Sequence, residues 1–260
     1  MIDTHTHLYY AEKFPEGAVE AVDRAVEAGV GKMILPNVSI DSCEPLLTLH
    51  HLRPEVTRVA VGLHPEDIDR DWRPKVEDVF ARFEGECPVA VGEVGIDLYH
   101  DPTFRIEQMD AFGSQLDRAR SMNLPVMIHS RNALDETLEV TRIMGAECPP
   151  LLFHSFTAGI EEARRILERH PDAIFGINGV VTFKNAPELR EAVKELGLGR
   201  IVLETDSPYL APVPKRGKTN ESSFLPYINA KVAEICGVTP EESEQSTTAL
   251  STRFFRLNSV

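Results

Sequence analysis

The sequence is short of several things that would place it outside the ordinary globular proteins. Its 260 residues hold only four cysteines, Cys43, Cys87, Cys148 and Cys236. They lie far apart and form no CxxC pair, which argues against a thiolate metal site and fits reduced thiols in a cytosolic protein. No apolar run approaches the ~18 residues that cross a bilayer, so no membrane partner is expected. The N-terminus lacks the basic and apolar regions of a signal peptide, and a cytoplasmic location is expected. Basic residues are scarce: 27 Lys and Arg stand against 41 Asp and Glu, a formal net charge of −14. That argues against a protein that coats nucleic acid electrostatically. It leaves room for an enzyme that holds a few phosphates in one pocket, where bound divalent cations reverse the local sign. Aromatics are only 7% of the chain, which argues against a long base-stacking groove. No linker, low-complexity segment or repeat is visible, and residues 1–260 read as one domain, expected to act as a monomer.

Short apolar, β-branched runs recur along the chain. They are Met1–His5, Lys32–Asn37, Arg58–His64, Val89–Ile96, Pro125–Ser130, Leu151–Phe156, Ile174–Asn178 and Ile201–Ser207. Amphipathic stretches such as GAVEAVDRAVEAG, EQMDAFGSQLDRARSM and IEEARRILERH lie between them. Continuous apolar strands alternating with helices imply a parallel sheet covered by helices. Eight such runs in a chain of about 250 residues predict a closed (β/α)₈ barrel of the TIM type, with its active site at the C-terminal strand ends. A doubly wound open sheet is the alternative. No glycine-rich phosphate loop follows the first run, which counts against its nucleotide-binding versions.

Several runs end in a group that can bind a metal: His5 and His7 on the first, Glu93 on the fourth, His129 on the fifth, His154 on the sixth and Asp206 on the eighth. Residues two apart on a strand point the same way, so His5 and His7 face the mouth together. A lone histidine at a strand end is more often a polar core residue than a ligand. Six candidates at successive strand ends are another matter. Neutral imidazoles and carboxylates suit zinc, manganese or iron, and magnesium where carboxylate and water dominate. The set exceeds what one tetrahedral ion needs and suits two ions about 3.5–4 Å apart, with Glu93 as the candidate bridge. His64, in VGLHPED, ends the third run and is a candidate to position substrate or donate to it. His100 falls in a loop near the mouth, whereas His50, His51 and His170 fall in or after helical patterns and are expected to be solvated.

The motifs IDTHTHL, VGLHP, VGEVGIDLYHD, PVMIHSR, LLFHSF and LETDSPYLAPVPKRGKTNE run in order from Ile2 to Glu221. Together they resemble the TatD-type metal-dependent deoxyribonucleases, within the amidohydrolase-like barrels. The resemblance implies hydrolysis of DNA phosphodiester bonds, often from a 3′ end or on a single-stranded segment. It implies two divalent ions, Mg, Mn or Zn, one held by His5, His7, Glu93 and Asp206 and the other by Glu93, His129 and His154. An acid at position 93 separates the chain from barrel relatives that bridge their metals with a carboxylated lysine. The chain departs from the family pattern in GKTNESSF, which lacks a proline, in the added residue of HSFTAG, and in STRFFRLN. These departures leave all six candidate ligands intact.

Two catalytic roles are expected: Glu93 as the shared carboxylate, and Asp206 as the group that orients the attacking water or takes its proton. Phosphate needs further partners. Ser130 and Arg131 follow a candidate ligand directly, and arginine grips phosphate bidentately. Lys184 follows the seventh run, and Lys215, Arg216 and Lys218 follow the eighth, the two positions where barrel phosphate sites often form. Tyr209 and Phe183 are placed either to stack on a base or to pack a loop. A hydrolase of a small ester, lactone or amide, and a non-catalytic metal-binding protein, are the alternatives that composition and motif leave open.

Overall fold

The structure, a computed structural model, describes residues 1–257. Its strands are β1 (Ile2–Asp3), β2 (Lys32–Pro36), β3 (Thr57–Val61), β4 (Ala90–Asp97), β5 (Val126–Arg131), β6 (Leu151–Phe153), β7 (Ile174–Ile177) and β8 (Ile201–Leu203). They form one sheet in the order β1 to β8, each paired in parallel with the next. The ring closes where the chain beyond β1 meets the chain beyond β8. Thr4 N–H donates to Leu203 O (3.0 Å), Asp206 N–H to His5 O (2.9 Å) and His7 N–H to Ser207 O (2.8 Å). Sequential order and closure exclude the open doubly wound sheet and establish the (β/α)₈ barrel.

The covering helices are α1 (Ala18–Glu27), α2 (Cys43–Leu52), α3 (Trp72–Arg82), α4 (Arg105–Met122), α5 (Leu134–Met144), α6 (Ile160–Arg169), α7 (Pro187–Leu196) and α8 (Leu225–Cys236), followed by α9 (Pro240–Phe254). α9 starts at a capping box, Thr239 with Glu242, behind Pro240. None of the helices is long and apolar enough to cross a membrane.

Strand alternation divides the core in two. Ile34, Ala60, Ala90, Met127, Leu152, Ile174 and Val202, one from each of β2 to β8, meet inside the barrel with Leu250 and Phe255. The last two come from α9 and its end, so this helix plugs one end of the barrel. Neighbouring residues such as Leu35, Val61, Ile128 and Phe175 point outward into the larger helix-covered core.

Two residues further along each strand, the inner face carries Gly62, Gly92, His129, His154, Gly176 and Glu204. The glycines make room. A Cβ on Gly176 would lie 2.1 Å from Glu204 Oε2, and one on Gly62 would lie 2.5 Å from Val94 Cγ1. β4 departs from plain alternation: Val91 pairs with Val126 but Val94 pairs with Ile128, so one extra residue is inserted. This bulge turns Glu93 inward along with Gly92, where strict alternation would send it to the helix layer.

Several expected strands end earlier than the apolar pattern suggests, among them β3 at Val61, β6 at Phe153, and the two at the seam, β1 and β8. The β1 ladder stops at Asp3 and the β8 ladder at Leu203, because side chains take over the seam. The buried carboxylate of Asp3 accepts Thr205 N–H (2.9 Å), Thr205 Oγ1–H (2.6 Å) and His5 N–H (3.3 Å).

Candidate metal centre

The six candidate ligands converge at the C-terminal end of the barrel, around Glu93. Glu93 Oε2 lies 3.2 Å from His5 Nε2 and 3.8 Å from His7 Nε2. Asp206 Oδ1 completes that side, 3.8 Å from His5 Nε2 and 3.6 Å from His7 Nε2. Glu93 Oε1 faces the other way, 2.8 Å from His129 Nδ1 and 3.0 Å from His154 Nε2. One carboxylate thus divides its two oxygens between two sets of donors. Asp206 sits at φ +55°, in the left-handed region that a non-glycine residue rarely adopts, and this turn aims its carboxylate back across the mouth.

The donors fit a divalent ion. His5 Nε2 and His7 Nε2 are 3.1 Å apart and both point inward. Two imidazole ligands at 2.0–2.1 Å from one tetrahedral ion lie roughly 3.3 Å apart, so the pair is set at coordination spacing. The His5 Nδ1 has no hydrogen-bond partner among the described residues, and the His5 and His154 rings stack with centroids 3.6 Å apart. Buried charge is balanced within the cluster. Burial opposes ionisation of Glu93, but the charges of His154, His64 and His5 and the His129 hydrogen bond hold it well below the usual carboxylate range. Burial works against the charged form of His129 too, yet Asp97 and Glu93 push it up to about 9. His154 is likewise raised, by Glu93 and Glu204 against its burial. Asp206 is held down at about 2, the His7 hydrogen bond and the histidine charges outweighing burial.

An outer layer holds these groups, and the sequence reading missed it. His129 Nε2 donates to Asp97 Oδ2 (2.9 Å), His154 Nδ1 lies 3.3 Å from Glu204 Oε1, and His7 Nδ1 is 2.8 Å from the Tyr9 hydroxyl. Asp97 follows Glu93 by four residues on the same strand, and Glu204 precedes Asp206 by two, so the two-residue strand period was the available signal. Such partners fix ring orientation and tautomer.

His64 is also brought to the cluster, its Nε2 3.3 Å from Glu93 Oε1. Helix α4 sets its position. Gln115 takes Leu63 N–H with Oε1 (2.8 Å) and gives Nε2–H to Leu63 O (3.1 Å). One heptad earlier, Gln108 does the same for Asp97, at 2.8 and 3.1 Å. Each buried carboxamide imitates a neighbouring strand at the point where the ladder ends. Gln115→Leu keeps the volume but leaves two buried backbone groups unpaired. It is expected to lower stability by about 2–4 kcal/mol, read by urea unfolding; a loss within about 0.5 kcal/mol, the usual range for surface changes, would show that water replaces the amide.

The candidate phosphate partners divide. Ser130 is not brought to the mouth: adjacent strand residues face opposite ways, and its hydroxyl bonds Thr137 Oγ1 on α5 (3.0 Å). Arg131, two residues past His129, reaches the rim. Its guanidinium lies 4.0 Å from the Tyr99 ring centroid and 3.4 Å from His100 Nε2. His100 in turn shares Asp97 Oδ2 (3.0 Å) and meets Glu66 Oε1 (3.0 Å). The loops after β7 and β8 pack together through Val213 N–H on Thr182 Oγ1 (2.8 Å). Arg216 lies 3.9 Å over Phe183, so that ring face is covered by a cation, and Lys215 lies 5.1 Å from Phe224. Lys184 and Lys218 are exposed, and none of these five cations is ion-paired among the described residues. Tyr209 stays 53% exposed beside Asp206. Of the histidines expected to be solvated, His51 is, while His50 and His170 are half-buried on Thr57 and Thr141 (2.8 and 2.9 Å).

A closed barrel with histidines and acids gathered at the C-terminal strand ends is the architecture of a metal-dependent hydrolase. The family model described as TatD related DNase matches residues 2–256, and the chain belongs to this family of metal-dependent hydrolases. It is 33% identical to the uncharacterized metal-dependent hydrolase YabD of Bacillus subtilis, over 99% of this chain and 100% of that one. It is 32% identical to the 3′-5′ ssDNA/RNA exonuclease TatD of Cronobacter sakazakii, over 95% of each. The crystal structure of YJJV, a TatD homolog from Escherichia coli K12, superposes with a TM-score of 0.87 at 26% identity, over 98% of both chains.

Proposed function

We propose that the protein is a nuclease that hydrolyses phosphodiester bonds of DNA from a 3′ end, using two divalent ions, Mg, Mn or Zn. The observation that carries the reading is the division of Glu93 between two donor sets, His5, His7 and Asp206 on one side and His129 and His154 on the other. The ions would lower the pKa of water and neutralise charge on the phosphate oxygens. Asp206 is ionised at neutral pH and 15% exposed to the mouth, which suits it to orient the attacking water. A carboxylate held near 2 is a weak base, so orientation and ligation outweigh proton abstraction in its role. Arg131 on one rim, and Lys184, Arg216 and Lys218 on the loops after β7 and β8, offer cations to the phosphates flanking the scissile bond. An uncharged ester or amide would have no use for them. The Cronobacter relative's name supports the 3′ direction and the single-stranded substrate.

The test is incubation with 3′-labelled and 5′-labelled single-stranded DNA under Mg²⁺, Mn²⁺, Zn²⁺ or EDTA. Early release of the 3′ label, abolished by EDTA, is expected; intact DNA under every metal would refute the reading. In the same assay Lys218→Ala is expected to weaken DNA binding and to reduce the slope of log K against log salt by about 0.7, the single-strand value for one phosphate contact. An unchanged slope would remove Lys218 from the substrate path.

A further inference from the structure

Hydrogen-bond direction tells the histidines of the cluster apart. A neutral imidazole has one N–H and one lone pair, and a metal ligand must present the lone pair. His129 faces a carboxylate on both sides, Asp97 on Nε2 and Glu93 on Nδ1, so no donor opposes a lone pair on Nδ1 once its proton there is displaced. His154 Nδ1 makes no hydrogen bond among the described residues, its nearest acidic oxygen being Glu204 Oε1 at 3.3 Å, and Nε2 faces the cluster with no donor against it. For His7 the chain is one step longer. The Tyr9 hydroxyl gives its proton to Pro36 O (2.7 Å) and therefore accepts from His7 Nδ1, leaving His7 Nε2 with the lone pair.

His64 is wired the other way. Its Nδ1 accepts the backbone N–H of Glu66 (3.2 Å), a group that can only donate. The ring proton therefore sits on Nε2, the nitrogen that faces Glu93 Oε1. Local sequence produces this. His64 caps the short 3₁₀ turn Pro65–Asp67, Pro65 has no N–H, and the first orphan amide of the turn is that of Glu66. The backbone of His64 is itself fixed, its N–H donating to Val38 O (2.8 Å) and its neighbour Leu63 clamped by Gln115. By distance alone His64 belongs with Glu93 and His129 as a third metal-binding group. To ligate, it would have to move its proton to Nδ1, against the Glu66 amide, and leave a donor facing a donor.

We infer that His64 is not a metal ligand but a catalytic N–H donor to a phosphate oxygen of the substrate. The phosphate half of this inference rests on the phosphodiester reading above; the exclusion from the ligand set does not. The ring is held before substrate arrives by its Nδ1 bond and its fixed backbone, and an N–H donor there strengthens as charge grows on the oxygen in the transition state. No proton need leave the ring.

The test uses His64→Ala and His64→Gln with three readouts. Titration of metal-stripped protein with Mn²⁺ is expected to give the wild-type stoichiometry in both variants. On single-stranded DNA, kcat of His64→Ala is expected to fall about 10²–10³-fold with KM nearly unchanged, the usual loss for one such donor. His64→Gln, whose amide still donates, is expected to recover part of it. Long-range ¹⁵N–¹H spectra of ¹⁵N-histidine protein are expected to show His64 protonated on Nε2 with and without Mn²⁺. Loss of one Mn²⁺ equivalent in His64→Ala, or a lone pair on Nε2 in the loaded protein, would overturn the inference. An unchanged kcat in His64→Ala would overturn its catalytic half. If the wild type cuts no DNA, the phosphodiester reading and the phosphate half fall together, while stoichiometry and spectra still decide whether His64 is a ligand.

Discussion

Glu93→Gln is expected to lower hydrolysis by more than about 10³-fold and to deplete bound divalent metal, with the barrel still folded. The amide keeps the size of the side chain but offers one ligating oxygen in place of two. In the wild type Oε2 faces His5 and His7 while Oε1 faces His129 and His154, so either amide orientation abandons one set. The substitution also removes the negative charge that balances His129 and His154, both raised in part by Glu93. Metal then has to bind without the carboxylate charge that offsets its own. Losing the metal removes several kcal/mol of transition-state stabilisation, and about 4 kcal/mol already corresponds to 10³-fold. Asp97→Asn, which leaves all six candidate ligands in place but weakens the bond that orients His129, belongs in the lower range of about 10–100-fold. Metal content after dialysis, DNA hydrolysis and thermal melting separate the outcomes. A Glu93→Gln variant with full metal and a rate within about tenfold of wild type would show that Glu93 is not the shared carboxylate.

The barrel was legible in the sequence because β2 to β8 each carry an apolar run between helical patterns, and the candidate site was legible because His5, His7, His129, His154 and Asp206 fall at or just past strand ends. What was not legible depends on contacts between strands. The bulge that turns Glu93 inward exists only as a mismatch of β4 with β5. The seam at Asp3 replaces ladder bonds with side-chain bonds to Thr205, which no periodicity announces. Gln108 and Gln115 look like solvent positions on an 18-residue helix until β3 and β4 end beneath them. Ser130 is the opposite case. The two-residue period that places His129 and Arg131 in the mouth should have sent Ser130 to the helices.

The role of that β4–β5 mismatch gives the second large effect. Gly95→Ala is expected to destabilise the protein by more than about 4 kcal/mol, enough to abolish soluble folded protein at ordinary stability. Gly95 lies at φ +146°, where an L-residue is strained, and it pairs with His129 just past the bulge. A Cβ there would lie 1.9 Å from His129 O and 2.9 Å from His129 C. Both are backbone atoms, so no rotamer relieves the overlap and β4 must lift away from β5. The strands that would part are those carrying Glu93 and His129, so residual folded protein is expected to bind metal poorly as well. Gly85→Ala is the control. Gly85 also has positive φ, +90°, but nothing lies within 4 Å of its added Cβ. It bears conformational strain alone, about 1 kcal/mol. The difference between the two variants in urea unfolding measures the close approach of β4 to β5, free of the shared backbone strain. Equal losses would mean that the strands have slack at the bulge, and that Glu93 is held inward by its ligand partners rather than by the spacing of the barrel wall.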